Sequence, residues 1–190
     1  MITSENIKKY TIPTVALTSI MVGGIFLFRK KTGEKIVEEA QKFVGIREIQ
    51  PNQGWNNKYF EKLMKSVGWQ LKWDYCVLFT KLILLRTLKG KQKKVVEKLF
   101  TPSSQTTWAN LVKNQKLGLY KLSKKPKVGA IAFYKHMNAD WRGHADIVGL
   151  DFDEKKYHVI TANGSIGVEE KYRKYNYNSN KMRLLGFVIF

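Results

Sequence analysis

The apolar positions follow three rhythms along the chain. From Thr11 to Phe28 no residue carries a charge, and the run is apolar without periodicity. As a helix rising about 1.5 Å per residue it would reach roughly 27 Å, enough for a bilayer core. Lys8 and Lys9 flank one end, and Arg29, Lys30 and Lys31 flank the other. No small-x-small cleavage site follows Phe28, so the pattern predicts a retained anchor over residues 1–31, with its span at about 11–28, rather than a cleaved leader. The C-terminal flank is more positive by only one or two charges, which by the positive-inside rule would hold the rest of the chain on the cytoplasmic side.

Beyond the anchor the spacing turns helical. Ile36, Val37, Ala40, Phe43 and Val44 share one face, with Gly45 as a stop. Tyr59, Phe60, Leu63, Met64 and Val67 share another, and residues 75–88 are apolar on nearly every side, which predicts a buried central helix. Two surface helices are expected at 91–100 and 104–114, the second anchored by Trp108. After Gly129 the rhythm shortens to β-rich runs at 130–134, 144–150, 157–162 and 184–190, separated by turn signals. Helices first and strands afterwards predict an α+β domain over 32–190, with N-terminal helices and a central helix packed on a small antiparallel sheet.

Charge adds a second constraint. The 190 residues carry 34 Lys plus Arg against 15 Asp plus Glu, a formal net charge of +19. Such a surface attracts anionic polymers: wall polymers, lipid headgroups or nucleic acid. The cations are scattered over 91–94, 121–127 and 171–174 and are not interleaved with aromatics, which favours a solvated basic surface over a sequence-reading nucleic-acid site. The one cysteine, Cys76, excludes an internal disulfide framework and a multi-cysteine zinc site, and the reading calls for no metal and no organic cofactor.

Cys76 opens the apolar central helix, and Asp74 is placed to cap it. In the first helical turn, free N–H groups and the positive end of the macrodipole favour a thiolate and could bind an oxyanion. A buried cysteine in an apolar helix can also be mere packing. Among the three histidines, His136 lies in a polar loop and His158 on a charge-rich strand, whereas His144 follows Gly143 at the mouth of an apolar strand. Asn163 ends the next strand beside Gly164, either as a turn residue or as the group that fixes the His144 tautomer. A thiol nucleophile, a base and an orienting amide thus follow one another as Cys76, His144 and Asn163.

From about Lys35 to Phe190 the chain resembles the CHAP domains (cysteine, histidine-dependent amidohydrolase/peptidase) and related papain-like peptidoglycan hydrolases of bacteriophages and bacteria. The resemblance is carried by Phe43–Glu48, Tyr75–Phe79, Thr107-Trp108, Pro126–Phe133, Gly143–Val148, Asn163-Gly164-Ser165 and Leu184–Phe187, in that order. It implies a papain-like fold and cleavage of a cell-wall amide through a thioester: Cys76 attacks, His144 moves the proton and Asn163 orients His144. It also suggests Gln70 as an oxyanion donor. Three positions depart from the pattern. Tyr75 stands before the nucleophile where the family often carries Trp. Thr161 stands where many relatives carry an acid, and Asp146 stands where they carry a small residue. Asp146 lies two residues beyond His144 on the same strand face, where it either favours an imidazolium or points into a widened loop.

These features predict a membrane-anchored peptidoglycan hydrolase whose partners are peptidoglycan, membrane lipid and anionic polymers. A lysis protein, or an entry enzyme in a lipid-containing virion, would reconcile a membrane anchor with a substrate outside the membrane. The competing expectations are an inactive membrane-bound virion protein that keeps the fold and contacts nucleic acid or capsid, and a secreted effector or lipid-directed acyltransferase using the same thiol.

Overall fold

The periodic segments of the first half fold as helices. The computed structural model describes residues 31–138, 142–153, 155–163, 167–174 and 182–190. Within them lie α1 (Thr32–Gln41), α2 (Lys58–Ser66), α3 (Cys76–Thr87), α4 (Gly90–Leu99) and α5 (Ser104–Lys113). Local chemistry starts two of these. The Asn57 side chain accepts the Phe60 N–H at the head of α2, and the Ser103 hydroxyl accepts the Thr106 N–H at the head of α5. α3 has no such cap; it is held by burial, with Val77, Leu78, Phe79, Leu82, Ile83 and Leu84 all in the core.

The second half supplies β1 (Lys121–Ser123), β2 (Ile131–His136), β3 (Gly143–Phe152), β4 (Lys156–Thr161), β5 (Glu169–Lys174) and β6 (Met182–Ile189). They form one antiparallel sheet in the order β1-β6-β2-β3-β4-β5. The α+β expectation agrees with this architecture. Two strands are additions to it, and both are sheet edges. β1 and β5 come from charged stretches that read as solvated surface, and charge on an edge strand discourages pairing with another chain.

Alternation along the strands gives the sheet two different faces. Ile131, Phe133, Ala145, Ile147, Ile160 and Val188 join the helices in the main core, where each buried large side chain contributes about 1.5–3 kcal/mol. The other face carries a smaller cluster that includes Ala132, Tyr134, Val148, Tyr157, Val159 and Phe187. His144 is paired with Tyr134, and Asp146 with Ala132 and Thr161, so the polar residues of interest share this second face.

The expected transmembrane helix is a correction. No helix among the described residues is long and apolar enough to cross a membrane. The most apolar of them, α3, has 12 residues, about 18 Å of rise against a hydrocarbon core of about 30 Å, and its surface is spent on the protein core. The expected single-pass membrane location is therefore not supported. The run 11–28, on which that expectation rested, lies outside the described residues.

Candidate active site

Cys76 is the first residue of α3, with Tyr75 at the cap position. The first helical bond at this end runs from the Phe79 N–H to the Tyr75 carbonyl, so the N–H groups of Cys76, Val77 and Leu78 have no intrahelical acceptor. Asp74 does not cap the helix. Its Oδ1 instead accepts from Asn52 Nδ2 at 3.1 Å and from Asn163 Nδ2 at 2.8 Å. Behind this turn the Trp55 ring lies 4.6 Å from that of Trp69 and 4.8 Å from that of Tyr75, and Trp69 Nε1–H donates to the Trp73 carbonyl at 3.0 Å. The aromatic cluster thereby fixes the loop that leads into the nucleophile position.

His144 is the second residue of β3 and is buried. Gly143 before it packs against the start of α5 and the backbone of β2. A Cβ there would collide with Ser104 Oγ and would sit 2.5 Å from both Gln105 Nε2 and the Tyr134 carbonyl oxygen. The Gln105 side chain ties the same region together by donating to the Arg142 carbonyl at 3.1 Å and the Tyr134 carbonyl at 3.3 Å.

The imidazole Nε2 lies 2.7 Å from Asp146 Oδ1 and 2.9 Å from Thr161 Oγ1. Nε2–H donates to the carboxylate, and the Thr161 hydroxyl oxygen lies beside it at the same ring nitrogen. The second carboxylate oxygen accepts from Arg173 Nε at 3.1 Å, and the Arg173 guanidinium lies over the Tyr134 ring, 5.6 Å from its centroid. Both Asp146 oxygens are therefore fixed, one by His144 of β3 and the other by Arg173 of β5. Asp146 is fully buried and Arg173 nearly so, and such a pair persists only when each charge is matched.

Electrostatics follow from that matching. Burial alone would push the His144 pKa down, but the Asp146 carboxylate and the nearby Cys76 sulfur outweigh it and raise the imidazole to about 10. Burial works on Asp146 in the opposite direction, yet His144, Arg173 and Thr161 hold its carboxyl well below the usual carboxylate range. Because Nε2 is occupied, Nδ1 is the ring nitrogen left for Cys76.

Cys76 opens onto a cleft of about 450 Å³ whose walls include Asn52, Lys72, Trp73, Asp74, Ser104 and Arg142. The structure thus brings together Cys76, His144, Asp146 and Thr161. It does not bring Asn163 to His144, since the Asn163 amide is bonded to Asp74 and its backbone takes the left-handed φ of 59° suited to a turn. Gln70 is exposed, and it is absent from the residues lining the cleft. Arg173 escaped the sequence reading because it sits in a run of charged residues, Glu169–Lys174, with no apolar alternation to mark it as buried. No protein-family model, curated protein or solved structure matches this chain, so the resemblance to CHAP domains rests on its residues alone.

Proposed function

We propose that the chain is a cysteine amidohydrolase or endopeptidase that cleaves an amide bond of peptidoglycan. One observation carries the reading: a buried imidazole has its Nε2 held by Asp146 and Thr161, and its remaining nitrogen is left for a cysteine at a helix N-terminus in an open cleft. A histidine in ordinary core packing needs neither a carboxylate at one nitrogen nor a thiol near the other.

The chemistry runs in two steps. The Cys76 sulfur attacks the scissile carbonyl, and the oxyanion that forms is met by the unpaired N–H groups of the first turn of α3. The C–N bond breaks as the His144 imidazolium gives its proton to the leaving amine, which leaves a thioester on Cys76. Neutral His144 then takes a proton from water, the hydroxide attacks the thioester, and the thiol returns as the acid product leaves. Asp146 holds the ring and stabilises its charged form, the part that sequence reading gave to Asn163. The choice of peptidoglycan comes from the CHAP resemblance, and the net charge of +19 suits a substrate surrounded by anionic wall polymers.

The test is digestion of purified peptidoglycan with mass analysis of the products. New amine and carboxyl ends that appear with the full chain and vanish with Cys76→Ala support the reading. Equal products from both chains, or none from either, overturn it.

A further inference from the structure

We infer that the end of the molecule away from the cleft is a docking surface for an anionic lipid bilayer, formed by α4, the last turn of α5 and the segment that leads from it into β1. Docking of this kind is peripheral: the chain lies on the headgroups, and no spanning helix is needed. It stands apart from the hydrolase reading and does not require that Cys76 react.

Charge is segregated along this chain. Residues 89–127 hold eleven lysines, no arginine and a single acid, Glu97. All eleven lysines are exposed, and none is in an ion pair among the described residues; the pairs that do form lie elsewhere, as Glu39 with Arg86, Glu61 with Lys65 and Glu169 with Lys171. The fold gathers these charges on one side. α4 buries Val95, Val96 and Leu99 and leaves Lys91, Lys94 and Lys98, spaced i, i+3 and i+7, as an exposed stripe. The Gln92 side chain donates to the Leu119 carbonyl at 3.0 Å, which sets the head of α4 beside the segment that carries Lys116 and Lys121.

Within this basic surface two aliphatic side chains stand out of the core, Val112 at 47% exposure and Leu117 at 52%. They favour a bilayer over a soluble polyanion. A nucleic acid or polyphosphate would be held by the lysines but offers nothing to the aliphatic groups, and residues 89–127 expose no aromatic ring for stacking and hold no arginine for a bidentate contact. A bilayer takes both, with Val112 and Leu117 entering the acyl boundary while the lysines meet the headgroup phosphates. α3 and α5 each begin at the cleft and end beside this surface, after about 18 Å and 15 Å of rise. A docked chain therefore holds Cys76 one helix length from the headgroups, on the side where a wall substrate would lie.

The test is co-sedimentation of the full chain with vesicles of phosphatidylglycerol and phosphatidylcholine at physiological ionic strength. A lysine close to an anionic surface is worth about fivefold in binding, so Lys94→Gln with Lys116→Gln is expected to weaken it by about 25-fold. The same charge change made elsewhere on the surface, Lys62→Gln with Lys155→Gln, is expected to cost less than about threefold, since both lysines would lie beyond the reach of the screened field. Val112→Ser with Leu117→Ser keeps the charge and is expected to weaken binding by about tenfold through lost apolar burial. The uncharged run 11–28 is common to all four chains, so the differences report this surface. Equal binding by the wild type and the Lys94 and Lys116 variant, an equal loss in the control pair, or no loss with the Val112 and Leu117 pair overturns the inference. Tighter binding to a DNA duplex or to poly(glycerol phosphate) than to these vesicles overturns it as well. Cys76→Ala should dock like the wild type, so the two readings fail separately: docking without cleavage of peptidoglycan removes the hydrolase alone, and cleavage without docking removes this surface alone.

Discussion

Two aspartates flank the reacting groups, Asp74 two residues before Cys76 and Asp146 two residues after His144, and their surroundings are opposite. Asp146 is fully buried on the sheet, with one oxygen on His144 and the other on Arg173. Asp74 is exposed at the cleft wall, held by two neutral amides. Burial makes the first a fixed charge that acts on an internal cation. Exposure leaves the second a solvated charge that ties the loops of Asn52 and Asn163 to the turn before α3. Similar spacing from a reactive residue therefore says little about role until the partners of each carboxylate are known.

The largest expected effect comes from breaking the buried end. Asp146→Asn removes the charge that holds His144 as an imidazolium, and turnover of peptidoglycan is expected to fall by about 10³-fold, measured as kcat/KM. The same change leaves Arg173 buried without its counter-ion, and the melting transition should report a loss of about 3–5 kcal/mol. Replacing both residues, as Asp146→Asn with Arg173→Met, should recover most of that stability and none of the activity. Recovery of activity in the double variant would reduce Asp146 to a partner for Arg173.

A smaller effect is expected at Gly143. In Gly143→Ala the new methyl group meets Ser104 and the β2 backbone, so the mouth of β3 must shift. Thermal unfolding should show a loss of about 1–3 kcal/mol, with a fall in activity because His144 is the next residue. Wild-type stability together with wild-type activity would mean that the close packing there has no part in placing the imidazole. The smallest effect belongs to the exposed end: Asn163→Ala removes one of two donors to Asp74, and kcat/KM should change by less than about tenfold.

The contrast between the two ends also marks what the sequence made legible. Apolar periodicity located the five helices and the four inner strands, because each presents a face to a core. It passed over β1 and β5, whose edge positions let charged residues dominate. Cys76 and His144 were legible from local context, one at the head of an apolar helix and the other after a glycine. The orienting group was not, because the choice among Asn163, Asp146 and Thr161 depends on register. Asp146 lies directly opposite Thr161 on the paired strands, and both therefore reach the same ring nitrogen, while Asn163 falls two positions beyond and turns toward Asp74. Arg173 left no signal at all, since its neighbours Tyr172 and Lys174 are exposed and its own side chain is buried through its contacts with Asp146 and the Tyr134 ring.

The titrations connect this geometry to observable behaviour. His144 is raised in the folded chain, so its stabilisation is complete below its ordinary value of about 6.5 and is lost as pH rises through about 10. Asp146 is depressed, so its contribution is present above about 4 and is lost as pH falls.

The most direct test of the central claim, that Asp146 holds His144 charged for Cys76, is the pH dependence of kcat/KM on peptidoglycan for the wild type and Asp146→Asn. The wild type should keep its activity to an alkaline limb near pH 10, where His144 loses its proton. In the variant the carboxylate no longer opposes burial, and that limb should move down by about 1–3 pH units. An identical limb in both chains, or one that moves with Asn163→Ala and not with Asp146→Asn, would contradict the assignment.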